Sequence, residues 1–231
     1  MLADAVEGRL RQWARTYNDP RYFTQDPIIF PKAFASFKKD AEVSAVLSAH
    51  LAWGRRASIV NDCNRLFALM DGHPYDYVMK GEYRRGKESA HRTISWDEIA
   101  GICERMRSFY EAYDSLERLD AAGMRVQIYG QKEDPKAANK KINMLRRWMV
   151  RRDGIVDLGL WKNTDPADLV IPLDVHVYDT AAALGLTSRK AKDITTALEI
   201  TEVMKTIWPA DPLLGDFALF GAGVDGVEVA L

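Results

Sequence analysis

Apolar residues recur every three or four positions along most of this chain, and this helical period limits its fold more than any other feature. The first such stripe consists of Leu2, Val6, Leu10, Trp13 and Tyr17. Convincing runs of alternating apolar and polar residues are missing, so strands are expected to be minor at most. The period therefore predicts an all-α protein. A length of 231 residues with 47% apolar content is enough for one good core or two small lobes.

Turn and capping residues mark where the predicted helices begin and end. Residues 18–20, Asn-Asp-Pro, end the first helix, and residues 21–31 are predicted to form an ordered loop. Asp40 is predicted to cap the helix that follows it. Ser95 is predicted to open a long helix that Gly123 closes.

The distribution of glycine and proline bears on domain organisation. These residues do not cluster into a linker, and the chain contains no repeat and no low-complexity segment. We therefore expect one compact unit over residues 1–231, built from two helical lobes that share an interface. Their boundary is predicted near residues 125–140.

Cysteine content and hydropathy exclude several classes of protein. Two cysteines, Cys63 and Cys103, do not suit a disulfide scaffold and cannot form a four-cysteine zinc or iron–sulfur site. We expect no cofactor and no bound metal. The first residues do not resemble a signal peptide, and no apolar run approaches the length of a membrane span. These features predict a reduced cytoplasmic protein with no membrane partner.

A basic segment stands out in a chain whose formal net charge is −1. From Lys132 to Arg152 there are eight lysines and arginines against two acidic residues. Such a segment is typical either of a phosphate-binding surface or of a solvated helix face. On a helix predicted over 139–152, Lys140, Arg147 and Arg151 project away from the apolar stripe. We predict that Lys136, Arg147 and Arg151 contact DNA.

Lys140 and Lys141 lie at the predicted start of this basic helix. An ordinary surface lysine is one interpretation of either residue. The positive end of a helix dipole disfavours an ammonium group, which suits Lys140 to act as a nucleophilic amine. Lys141 lies nearer the apolar stripe, where desolvation would have the same effect. The residues alone do not choose between the two lysines.

Asp174 follows residues 171–173, Ile-Pro-Leu, and precedes another predicted helix. It is placed to cap that helix, and a capping aspartate can also serve in catalysis because amide hydrogen bonds hold its carboxylate ionised and fixed. His176 and Asp179 lie close by in sequence. A metal site formed by these three residues is not favoured, because no second histidine cluster accompanies them.

Four segments of the chain resemble motifs of a bacterial family of unknown function: 140–151, 157–161, 171–177 and 216–221. That family is in turn similar, more distantly, to helix-hairpin-helix DNA glycosylases such as endonuclease III and the archaeal 8-oxoguanine glycosylases. The resemblance implies an all-α fold of two lobes with a central cleft. It also implies damaged duplex DNA as the partner, and we expect a monomer.

The resemblance also implies roles for particular residues. Residues 140–143, Lys-Lys-Ile-Asn, resemble the glycosylase sequence Lys-Thr-Ala-Asn, which makes Lys140 the matched nucleophile and Lys141 the second candidate. Residues 173–177, Leu-Asp-Val-His-Val, resemble Val-Asp-Thr-His-Ile, which makes Asp174 the matched catalytic acid. His50 occupies the place of a glutamine that enters the gap left by a flipped base.

Two functions are therefore expected from the sequence. The first is a DNA glycosylase, possibly with lyase activity, that removes a damaged base through a lysine nucleophile and an aspartate. The second is a nucleic-acid-binding protein that has the same fold without the chemistry. A glycosylase needs a lysine and Asp174 facing one pocket, whereas a binding protein needs only the basic face.

Overall fold

The computed structural model describes residues 3–228, so Leu2 lies outside the described part of the chain. Helices dominate these residues, and the expectation of an all-α protein is confirmed. The α-helices are α1 Asp4–Tyr17, α2 Ile29–Ala33, α3 Lys38–Leu51, α4 Arg56–Phe67, α5 Pro74–Lys80, α6 Trp96–Ala112, α7 Ala121–Gly123, α8 Lys140–Val150, α9 Val175–Ala183, α10 Ile194–Ile207 and α11 Leu214–Val224. No helix among residues 3–228 is both long and apolar enough to cross a membrane.

Other elements are short. Strands β1, Ser89–His91, and β2, Ile94–Ser95, form an antiparallel hairpin in which His91 lies opposite Ile94. A π-helical turn, Met124–Ile128, continues directly from α7. The hairpin fits the expectation that strands are minor, because no other strand occurs in the described residues.

The chain divides into two compact units. The central unit is Phe23–Glu133, and the terminal unit combines residues 3–22 with 134–228. The chain passes from one unit to the other after Tyr22 and again after Glu133. The sequence does not predict the boundary between the two units after Tyr22. It arises because α1 packs against α11 at the other end of the chain.

The terminal unit is held together by close packing of α11 against α1 and α9. Gly221 lies against the ring of Tyr17, where a β-carbon would stand 2.1 Å from the ring. Gly223 lies against α9, where a β-carbon would stand 2.7 Å from Thr180 Oγ1 and 3.0 Å from the β-carbon of His176. These glycines allow α11 to approach both helices closely, which fixes the position of α9.

The core of the central unit is built on α3, whose residues from Asp40 to Leu51 are all buried. Glu42 is fully buried within it and accepts hydrogen bonds from the Tyr110 hydroxyl at 2.9 Å and the Leu116 amide at 3.2 Å. A buried carboxylate with such partners is stable, because each hydrogen bond replaces one to water. This acidic group is therefore part of the core.

Helix boundaries differ from the prediction in three places. Ser95 caps the start of α6 as predicted, because its hydroxyl accepts a hydrogen bond from the backbone amide of Glu98 at 3.2 Å. The helix ends at Ala112, however, and not at Gly123. Asp40 does not cap α3, because the helix begins two residues earlier, at Lys38. The carboxylate of Asp40 instead accepts a hydrogen bond from the backbone amide of Tyr75 at 2.7 Å. The segment 21–31 is not all loop, because it holds most of a 3-10 turn and the first residues of α2. Tertiary contacts decide such short elements.

Candidate active site at the starts of two helices

The start of α8 places Lys140 at the first position of a helix. The residue before it, Asn139, has a φ of +48°, a left-handed conformation that asparagine adopts more readily than most residues. Asn143 secures this turn, because its side-chain amide donates to the carbonyl of Ala138 at 2.9 Å. The local sequence therefore turns the chain sharply into α8 at Lys140.

The start of α9 places Asp174 at its N-cap. Oδ1 of Asp174 accepts the amide of Val177 at 3.0 Å, so the predicted capping role is confirmed. The second oxygen, Oδ2, lies 4.0 Å from Nζ of Lys140. One carboxylate thus caps a helix and faces an amine from a helix that begins 34 residues earlier in the chain.

Both groups of this Lys140–Asp174 pair are partly accessible. The side chain of Lys140 is 31% exposed and that of Asp174 is 18% exposed. Nζ of Lys140 also lies 3.8 Å from the sulfur of Met144, one turn further along α8. Lys141, the other candidate nucleophile, is half-buried on the same helix. Lys140 is thus the lysine whose amine the structure places next to the carboxylate of Asp174.

The prediction that Arg147 and Arg151 present a basic face to DNA is wrong. They are only 6% and 1% exposed. Arg147 Nη1 lies 2.5 Å from Asp216, and Arg151 pairs with Asp157 at 3.1 Å and with Asp211 at 2.9 Å. A guanidinium group can be buried only when carboxylates compensate for its lost hydration. The charge of this part of α8 is therefore neutralised inside the terminal unit.

The two guanidinium groups share one aromatic partner. Arg147 and Arg151 place their Cζ atoms 4.5 and 4.7 Å from the ring centre of Phe217, which is itself buried. Arg147 also reaches Asp157, with Nε at 3.3 Å from Oδ1. Ion pairs and cation–π contacts of this kind fix α8 against the start of α11.

Among the carboxylates that pair with Arg147 and Arg151, Asp216 has the most clearly raised pKa. It is 3% exposed, and burial is the main cause that raises its pKa to about 6, with a smaller contribution in the same direction from the charge of Asp174. Arg147 and Lys140 oppose this rise in pKa. Asp216 is therefore in electrostatic contact with both members of the Lys140–Asp174 pair.

The structure also corrects the expected role of His50. This residue is 5% exposed in α3, its Nε2 lies 2.8 Å from Glu98, and its ring stacks on Tyr129 with centres 5.4 Å apart. A side chain held in this way cannot enter a gap in DNA, so the prediction is wrong. Lys136 differs, because it is exposed as a DNA contact must be. That role of Lys136 stays a prediction.

A metal site at Asp174, His176 and Asp179 finds no support. Within residues 3–228, no group of three or more His, Cys, Asp or Glu side chains is arranged to hold a metal ion. His176 is exposed and its ring meets the edge of Phe220, with centres 5.9 Å apart. The electrostatic partners of Asp174 are instead the amine of Lys140 and the carboxylate of Asp216.

The sequence does not identify the aspartates that pair with Arg147 and Arg151. Asp157 and Asp216 stand out only as parts of longer motifs, and Asp211 belongs to no motif. One signal was present: Arg147 and Arg151 directly flank an apolar run, 148–150, that is wholly buried. Arginines next to such a run in a helix need carboxylate partners within the fold.

Fold and site together define a mostly helical protein with an amine–carboxylate pair at two helix starts. A family profile described as "Protein of unknown function (DUF2400)" matches residues 26–134 and 121–225. The chain belongs to this family. Comparisons with curated proteins and with solved structures found no match. The function must therefore be argued from the geometry of the site.

Proposed function

We propose that this protein is a DNA glycosylase with a fold of the helix-hairpin-helix glycosylase type, and that Lys140 is its nucleophile. The observation that carries the proposal is the 4.0 Å distance between Nζ of Lys140 and Oδ2 of Asp174. A lysine nucleophile and a carboxylate that face each other are what base removal through a covalent lysine intermediate requires. The motif resemblance around the same two residues supports the proposal.

The chemistry assigns a distinct task to each group. The neutral amine of Lys140 attacks C1′ of the damaged nucleotide, and the bond between C1′ and the base breaks. The base leaves with the bonding electrons and takes up a proton, while the lysine nitrogen loses one. The bond between C1′ and O4′ then breaks, O4′ takes up a proton, and the nitrogen lone pair forms the C=N bond of a protonated imine between Lys140 and the sugar. Asp174 stabilises the positive charge that develops on the sugar, because its carboxylate is held in place by the amide of Val177.

Access to C1′ requires the nucleotide to leave the base stack. Flipping a nucleotide costs a few kcal/mol, and less at a damaged or mismatched base. Contacts to the phosphate backbone must offset this cost. Since Arg147 and Arg151 are buried, we assign this task to exposed lysines of the basic segment, Lys132 and Lys136.

Borohydride trapping tests the proposal directly. The protein is incubated with oligonucleotides that carry different lesions or an abasic site, and borohydride reduces any imine between lysine and sugar to a stable adduct. We expect an adduct with at least one oligonucleotide, and none after Lys140→Gln. Lys141→Gln is the matched control and should still be trapped. Adducts that persist in Lys140→Gln, or none in the wild type, would rule out this nucleophile.

A second function, binding of nucleic acid without catalysis, is favoured by one observation. Asp174 caps α9 and Lys140 neutralises it, so the pair is useful to the fold without any chemistry. Under this alternative the wild-type protein binds DNA in a salt-dependent manner and releases no base. Binding that weakens equally in Lys136→Gln and in Lys132→Gln, without adducts on any lesion, would favour the alternative.

A further inference from the structure

The turn of the β1–β2 hairpin holds Arg92 in a conformation that arginine seldom adopts. Its φ is +51°, in the left-handed region that glycine and asparagine occupy most readily. A longer side chain at such a φ costs stability, and backbone costs of this kind concentrate at functional positions. Arg92 is exposed, so burial in a core does not account for its presence at this turn.

Contacts of the hairpin fix Arg92 above the segment that leads into α4. The Cζ atom of Arg92 stands 4.1 Å from the ring centre of Trp53, and a β-carbon on Gly54 would stand 2.7 Å from its Nη1. His91 is 1% exposed and links the hairpin to the same segment, with Nε2 at 2.9 Å from the carbonyl oxygen of Trp53. Its Nδ1 lies 2.7 Å from Oδ2 of Asp62 in α4. The position of Arg92 is therefore set by buried contacts of the central unit.

Two more arginines follow Gly54 at the start of α4. Arg55 is the N-cap residue, Arg56 is the first residue of the helix, and both are exposed. The positive end of the helix dipole disfavours cations here, and the first turn of α4 contains no acidic residue to offset them. In the part of the chain that the structure describes, neither Arg55 nor Arg92 forms an ion pair with a carboxylate. Local interactions thus disfavour all three arginines, although the chain places them together.

The surroundings of these arginines are basic too. Segments 53–65 and 83–93, which contain the start of α4 and most of the hairpin, hold seven lysines and arginines against two acidic residues. Both acidic residues already pair with other arginines of these segments: Asp62 with Arg65 at 3.2 Å, and Glu88 with Arg84 at 3.5 Å. The two segments therefore carry a net positive charge in a nearly neutral chain, and all of their lysines and arginines are exposed.

We propose that Arg55, Arg56 and Arg92 bind the phosphate backbone of a nucleic acid and together form the Arg92 surface. A guanidinium group presents its N–H donors in a planar fork that matches the oxygens of a phosphate. Phosphates recur about every 3.4 Å along each strand of a duplex, so a nucleic acid can engage several arginines of one surface at once. The inference shares its partner with the proposed function but requires neither Lys140 nor base removal.

A membrane is a poorer partner for the Arg92 surface. Proteins that bind anionic membranes combine basic residues with apolar side chains that enter the lipid. Segments 53–65 and 83–93 lie wholly within the described residues, and none of their large apolar side chains is exposed. Nucleic acid is therefore the polyanion that fits this surface.

Binding of the full-length protein to an undamaged, fluorescein-labelled DNA duplex tests the inference. Fluorescence anisotropy gives the affinity over a series of salt concentrations. Loss of one phosphate contact should weaken binding roughly eightfold at about 0.1 M salt and make the slope of log affinity against log salt shallower by about 0.9. We expect this change for Arg92→Asn and again for Arg55→Gln.

Arg92→Asn also distinguishes a binding role from a structural role. Asparagine tolerates a left-handed φ better than arginine does, which offsets the lost contact with Trp53, so the urea midpoint should change little. Arg55→Gln removes a cation that the helix dipole disfavours and should not lower the midpoint. Weaker binding by variants that stay as stable as the wild type cannot arise from damage to the fold.

Arg118→Gln is the matched control. Arg118 is exposed, and its Cζ lies 5.0 Å from the ring centre of Tyr113, so it is another arginine stacked on an aromatic ring of the central unit. It follows the end of α6, whereas the hairpin precedes the start of this 17-residue helix, which is about 25 Å long. Affinity and salt slope should stay those of the wild type, and a loss equal to that in Arg92→Asn would overturn the inference.

Normal affinity and salt slope in folded Arg92→Asn and Arg55→Gln, or binding to phosphatidylserine vesicles but not to the duplex, would also overturn it. Failure of the proposed function is a separate result. If borohydride trapping fails on every lesion while the arginine variants bind weakly, the Arg92 surface stands and Lys140 is not a nucleophile. If trapping succeeds while these variants bind normally, Lys140 remains the nucleophile and the role of the Arg92 surface is refuted.

Discussion

At the scale of single residues, Asp174 uses its two oxygens for two different purposes. Oδ1 accepts the amide of Val177, and Oδ2 faces the amine of Lys140 at 4.0 Å. Capping requires only a hydrogen-bond acceptor, whereas stabilisation of a developing positive charge requires a negative charge. A substitution that keeps the acceptor and removes the charge therefore separates the two roles.

Asp174→Asn is that substitution. Asparagine is as good an N-cap as aspartate, so we expect the free energy of unfolding to fall by about 1 kcal/mol or less. Under the proposed function, base release from a confirmed substrate should be lost almost completely while DNA affinity is retained. Urea unfolding and a base-release assay measure the two effects. Near-normal turnover in the variant would show that Asp174 is a cap only.

Arg147 is the residue whose loss should affect stability most. Arg147→Met leaves the carboxylates of Asp216 and Asp157 without their shared cation, and breaking a buried pair in this way costs about 3–5 kcal/mol. Arg152→Met is the control, because Arg152 is exposed and should change stability by about 0.5 kcal/mol or less. Urea unfolding compares the two variants. Equal stability would contradict the buried network.

At the scale of elements, the starts of α8 and α9 could be predicted from sequence, because helix periodicity and a capping aspartate are local signals. The closeness of Lys140 and Asp174 is implied by the resemblance of the segments around them to glycosylase motifs. The partner of Arg147 could not be predicted, since Asp216 lies 69 residues away and only the packing of α11 brings them together. The end of α6 at Ala112 likewise adjoins a contact that is distant in sequence: Glu42 of α3 accepts a hydrogen bond from the backbone amide of Leu116, just beyond the helix.

Close packing of α11 on α9 predicts opposite effects for two glycine substitutions. In Gly223→Ala the new methyl group would stand 2.7 Å from Thr180 Oγ1 and 3.0 Å from the backbone oxygen of His176, so α11 must move. We expect a loss of about 1–3 kcal/mol in stability. Gly8→Ala, in α1 with no atom within 4 Å of the added carbon, should gain about 0.5–1 kcal/mol. Thermal unfolding of both variants checks the signs, and a stabilised Gly223→Ala would contradict the helix contact.

At the scale of the whole molecule, the nearly neutral chain buries two arginines in the terminal unit and pairs them with Asp153, Asp157, Asp211 and Asp216. Burial raises the pKa of Asp157, Asp211 and Asp216 above the ordinary value for an aspartate, although the arginines oppose it. The pKa of Asp153 is lowered instead, because the amide of Ile155 and the charge of Arg151 outweigh its desolvation. These directions determine how the stability of the unit depends on pH.

Asp216 should make the terminal unit less stable as pH rises from about 4 to about 6. Its pKa is about 6 in the folded protein against 3.8 for an ordinary aspartate, so in this interval the folded state binds a proton that the unfolded state has released. Unfolding free energy therefore falls with rising pH across the interval. Asp153 affects the unfolding free energy below this pH interval and with the opposite sign. Because its pKa is lowered in the folded protein, it contributes stability that is lost as the pH falls. Urea unfolding, followed through the exchange of amide hydrogens in α8 and α11, measures the slope in the wild type and in Asp216→Asn. The variant should lose the part of the slope that Asp216 contributes, and identical slopes in the two proteins would show that this carboxyl does not gain its proton in the folded state.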